Sequence, residues 1–128
     1  MDRDKAYVLW FDELRREDVE IVGGKSSSLG EMTSKTDVPV PYGFATTAYA
    51  YRQFMERTGL DKKIREELKK LTDVEDSALL REVTDNIRAM IVAEDMPEDI
   101  VEAIKDAYAE LGEKMHVDDP FVAVRSSA

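Results

Sequence analysis

Between Thr47 and Gly112 the apolar residues recur at helical spacing, which leaves little of that stretch for anything but helix. Thr47 reads as an N-cap for a helix through Tyr51, Phe54 and Met55, closed by Gly59. Asp61 reads as the cap of the next helix, with Ile64, Leu68 and Leu71 on its buried stripe. Leu79, Leu80, Val83, Ile87, Met90 and Ile91 mark a long amphipathic helix. Pro97 with Glu98 and Asp99 is a helix start by both backbone and dipole criteria. Ile100, Ile104, Tyr108 and Leu111 form its stripe, and Gly112 reads as its end.

Sheet can come only from three short runs outside that pattern: "YVLWF" (Tyr7 to Phe11), "FATT" (Phe44 to Thr47) and "FVAV" (Phe121 to Val124). Each is apolar and rich in β-branched or aromatic residues, so the three are expected to pair in one sheet covered by helices. Asp12 to Ile21 reads as a connection holding at most a helical turn. A short helix opens at Lys25 with Ser28, Leu29 and Met32 on one side, and the two prolines and glycine of "DVPVPYGF" (Asp37 to Phe44) end it. The fold class is α+β, a small sheet covered by several helices, in a single domain spanning 1–128.

Charge narrows the function. The chain of 128 residues carries a formal net charge of -10, with no basic patch, so it repels nucleic-acid phosphates. No cysteine is present, which removes disulfides, thiolate metal sites and cysteine nucleophiles. The start, "MDRDKAYVLWF", is neither a signal peptide nor a membrane span, so no membrane partner and a cytoplasmic location are expected.

"VGGKSSSLGEM" (Val22 to Met32) is the first candidate for chemistry. A Walker loop needs glycine where Val19 stands, and a dinucleotide fingerprint needs a third glycine, so both templates fail. A glycine pair still lets backbone N–H groups approach an anion at a helix start. A plain turn with an exposed lysine weighs about equally. Arg125 in "VAVRSSA" (Val122 to Ala128) is the second candidate, a planar fork suited to oxyanions, against the blander reading of a surface ion pair. His116, the single histidine, reads as a loop residue. Asp118-Asp119 and Glu94-Asp95 read as turn and helix-flank residues, and Tyr49, Tyr51 and Phe54 as packing.

Taken together, "VLWFDEL", "VGGKSSSLGEM", "VPVPYGFATTAYAY" and "VAVRSSA", in that order, resemble the pyruvate phosphate dikinase family of phosphoenolpyruvate-utilising enzymes. They lean towards the branch that converts pyruvate, ATP and water to phosphoenolpyruvate, AMP and phosphate through a phosphohistidine. The resemblance implies the first part of an ATP-grasp nucleotide-binding domain. By that likeness Lys25 and Arg125 contact ATP phosphates, and Gly23 and Gly24 form the turn at the phosphate site. It also implies a magnesium ion whose ligands lie outside this chain, together with separate carrier-histidine and pyruvate-binding domains. His116 does not sit in the carrier motif. No catalytic or metal-ligating residue is therefore expected in this chain, which is expected to be inactive alone. The alternatives are the same ATP module from a dikinase or a rifampin phosphotransferase, or a helical interaction module without catalysis. Oligomeric state is left open.

Overall fold

The computed structural model describes residues 3–35 and 41–126, in two compact units: one of 3–51 with 98–126, the other of Arg52–Pro97. In the first unit, β1 (Val8–Trp10) pairs antiparallel with β2 (Phe44–Thr46), in the register Val8 to Thr46, Leu9 to Ala45 and Trp10 to Phe44. Leu9 and Ala45 are buried at the centre of the pair, while Trp10 and Phe44 meet as tilted rings 5.4 Å apart. Two of the three expected strands thus pair as read. Phe11 leaves the strand into a 3-10 turn, Phe11–Glu13.

The third expected strand is not one. Residues 121–126 are irregular, with Phe121, Val122 and Val124 exposed to solvent. The apolar composition of "FVAV" reports a tendency to be buried, but a strand also needs a neighbour for its backbone groups. No described segment forms a ladder with it.

After Leu14 the chain makes a second 3-10 turn, Arg16–Asp18, and one turn of helix, α1 (Val19–Val22), before α2 (Gly24–Lys35). Ala6, Leu9, Leu14, Val22 and Ala45 form the core here, with Phe11 and Ile21 packed against it. The first half of the expected loop, residues 37–40, lies outside the described residues.

Thr47 caps α3 (Ala48–Arg57) as read. Its hydroxyl accepts the Ala50 N–H at 3.1 Å and donates to the Ala6 carbonyl, so one buried side chain starts the helix and ties it to the residues before β1. Tyr49 stacks on Tyr7 with centroids 5.6 Å apart, a packing role, whereas Tyr51 is exposed.

α6 (Glu98–Met115) buries Ile100, Ala107 and Leu111, and Lys114 sets its ammonium 3.8 Å from the centre of the Trp10 ring. Gly112 does not end this helix, which runs on to Met115. A Cβ at Gly112 would come 2.8 Å from the Val117 carbonyl oxygen, so the glycine serves the chain reversal that follows. The reversal passes through His116, whose φ of 57° is left-handed, and Asp119, at 45°. The Tyr108 hydroxyl then fastens it by donating to the Pro120 carbonyl at 2.7 Å.

In the second unit α4 (Leu60–Leu68) packs on α5 (Ser77–Ala93), burying Leu60 and Val83. The α4 N-cap is Gly59, at φ 76°, so Asp61 sits inside the first turn instead of capping it. Asp76 caps α5 by accepting the Leu79 N–H. Glu67, only 5% exposed, accepts from the Asn86 amide at 2.7 Å and from Lys70 at 2.9 Å. The Asn86 hydrogen bond, then that of Lys70, holds its carboxyl below the ordinary value of 4.5 despite burial. Glu67 in turn raises Lys70 above 10.5.

A pH dependence follows from these two shifts. A depressed carboxyl stabilises the fold above its unfolded-state pKa and loses that contribution as pH falls through the folded value. A raised lysine contributes below 10.5 and loses its contribution as pH climbs through its own folded value. The melting-temperature gap between wild type and Glu67→Gln should therefore be widest near neutrality, close below pH 4.5, and narrow without closing above 10.5, where the Lys70 charge is lost while the Asn86 hydrogen bond remains. A gap that stays constant across that range would show that the network does not act through charge.

Candidate functional site at the start of helix α2

Gly23 joins α1 to α2. Its N–H closes α1 on the Val19 carbonyl at 2.7 Å, and its own carbonyl accepts the Ser27 N–H at 3.1 Å, so it ends one helix and starts the next. That double duty forces φ to 85°, a conformation that favours glycine. The expected tight turn is therefore present at Gly23. Gly24 differs, because a Cβ built there would meet nothing within 4 Å. Nothing described in the chain fills the space beside it.

Lys25 follows on the first turn of α2, at the positive end of the helix dipole. Its side chain is exposed and makes no hydrogen bond or ion pair with the other described residues. Of the three serines after it, Ser26 and Ser27 are buried in the scaffold. Ser27 is fully buried and donates to the Gly24 carbonyl at 3.0 Å, and Ser26 is 7% exposed. The arrangement leaves one cation held at the rim of an open, backbone-lined helix start, a geometry suited to an anion.

Arg125 lies in the same compact unit, in the exposed irregular segment 121–126, not at the end of a strand. It too makes no hydrogen bond or ion pair with the other described residues, so no such contact joins it to Lys25. His116 sits in the reversal after α6, beside Glu113 and Asp118, and among the described residues no three histidine or carboxylate groups are arranged to hold a metal ion.

Sequence reasoning missed what seats α2. A Cβ at Gly30 would lie 2.3 Å from the Leu14 Cβ and 2.8 Å from the carbonyl oxygens of Leu14 and Phe11. At Gly43 a Cβ would lie 2.4 Å from the Phe11 ring. A glycine inside a helical pattern is a signal for such an approach, but it does not name the partner.

Residues 19–128 match the family described as pyruvate phosphate dikinase, AMP/ATP-binding domain. The chain belongs to that family. It is 45% identical over 128 residues to a probable phosphoenolpyruvate synthase of Staphylothermus marinus, covering 98% of this chain and 15% of the relative. It is 48% identical over 122 residues to a probable phosphoenolpyruvate synthase of Methanocaldococcus jannaschii, covering 95% and 10%. It is 44% identical over 133 residues to the phosphoenolpyruvate synthase of Synechocystis, covering 98% and 16%. The chain thus spans a small part of the length of these relatives.

Proposed function

We propose that this chain is the phosphate-holding part of an ATP-grasp domain in a phosphoenolpyruvate synthase, which converts pyruvate, ATP and water to phosphoenolpyruvate, AMP and phosphate through a phosphohistidine. The observation that carries the reading is the start of α2, where a left-handed Gly23 and an unfilled space at Gly24 present Lys25 without a partner among the described residues. Phosphoryl transfer asks the protein mainly for positioning and for positive charge against the oxygens. Lys25 and Arg125 would supply that charge, with the Gly23-Gly24 backbone close to a phosphate. The "FVAV" segment would gain its missing ladder partner from the rest of the nucleotide domain. Magnesium, pyruvate and the carrier histidine would be held by groups outside the described residues, and the enzyme would work in the cytoplasm.

The natural protein carrying this chain should release AMP from ATP in proportion to added pyruvate, with phosphoenolpyruvate formed in equal amount. The chain alone should release none above a protein-free blank. Release that requires added orthophosphate would assign the dikinase reaction instead, and release indifferent to pyruvate would contradict the reading.

A further inference from the structure

We propose that Gly30 is a positioning residue for Lys25: it sets the depth at which α2 seats on the Phe11–Leu14 turn, and so where the Lys25 ammonium stands. The inference rests on the reading of Lys25 as a phosphate-binding group. Lys25 precedes Gly30 by about 1.4 helical turns, roughly 7.5 Å along the axis, so the two move as one rigid piece. The three atoms that a Cβ at Gly30 would meet are the Leu14 Cβ and two carbonyl oxygens, none of which can rotate aside. The turn that carries them is itself fastened. Leu14 N–H bonds to the Phe11 carbonyl at 3.2 Å, Phe11 N–H bonds to the Gly43 carbonyl at 3.0 Å, and Gly43 leads directly into β2. Leu14 is fully buried in the core. An added methyl must therefore lift α2, by about an ångström, to restore ordinary contact. Displacements of that size at a reacting group cost up to about a hundredfold.

Gly43 provides the contrast. A Cβ there meets the ring of Phe11, the far end of a side chain that can shift while the backbone and the α2 seat stay in place. Both glycines pack on Phe11, one under its carbonyl and one under its ring, yet only Gly30 lies on the helix that carries Lys25.

The test uses the natural protein carrying this chain, with ATP as the probe. Lys25→Ala, Gly30→Ala, Gly43→Ala and the Lys25→Ala/Gly30→Ala double variant are compared by melting temperature and by KM for ATP. Gly30→Ala should raise the KM for ATP about tenfold to a hundredfold. Gly43→Ala should lower the melting temperature with the KM unchanged. The double variant should be no worse in KM than Lys25→Ala, because a residue that acts only through Lys25 has nothing left to misplace. Should Gly30→Ala fail to fold, Leu14→Val disturbs the same contact by one methylene and is held to the same two KM outcomes. An unchanged KM in the folded variant, a KM loss that multiplies with Lys25→Ala, or an equal KM loss in Gly43→Ala would overturn the proposal. If Lys25→Ala itself leaves the KM alone, the phosphate reading fails first and takes the proposal with it, a result distinct from the other three.

Discussion

Lys25→Ala and Arg125→Ala, each made in the natural protein carrying this chain, should each reduce kcat/KM for ATP about tenfold to a hundredfold. That range is what loss of one charge-assisted contact costs, roughly 1.5–3 kcal/mol. Lys25 is exposed and makes no hydrogen bond or ion pair among the described residues, so its removal should leave the melting temperature near wild type and isolate the functional effect. The same holds for Arg125 in its irregular segment. If the two cations share a phosphate oxygen, the double variant should lose less than the product of the single losses. Wild-type kinetics in both single variants would remove the site.

Leu14→Ala should have the largest effect on stability, about 2–5 kcal/mol by the cavity left in a core that cannot close over it. Leu14 is 0% exposed and makes the contact on which α2 rests, with its backbone fixed to Phe11, so neighbours have little freedom to collapse into the gap. Urea unfolding of the chain should show the midpoint falling with the slope unchanged. A loss below about 1 kcal/mol would mean that the packing between α2 and the Phe11–Leu14 turn contributes little.

The helices were legible because a 3.6-residue period is written many times over in α3 to α6, and because a threonine at a helix start has a local hydrogen bond to make, as Thr47 does with Ala50. Strand pairing was legible for Val8–Trp10 and "FAT", whose composition matches a half-buried pair. "FVAV" shows where such reading stops. Apolar residues specify a need for cover, but the ladder partner is a matter of what lies alongside, and none of the described segments does.

The turn expected at Gly23 is there, Gly112 is not the helix end that its position suggests, and Gly30 carries no signal in the sequence that names its partner. The same residue type permits a left-handed turn and a close approach, and only the second depends on atoms far away in sequence, such as the Val117 oxygen or the Leu14 Cβ. Asp61 was misread as a cap because Gly59 already fills that place with a left-handed backbone. Lys25 and Arg125 could be picked out by resemblance. By residue type alone Lys25 fits an exposed lysine after a plain turn equally well, and Arg125 fits a surface ion pair better.

The most direct test of the phosphate assignment is equilibrium binding of ATP and of AMP to the natural protein carrying this chain and to its Lys25→Ala/Arg125→Ala variant. Cations that grip the polyphosphate should cost ATP far more affinity than AMP, by about tenfold or more in the ratio of the two losses. Equal losses for the two nucleotides, or no loss for either, would contradict it.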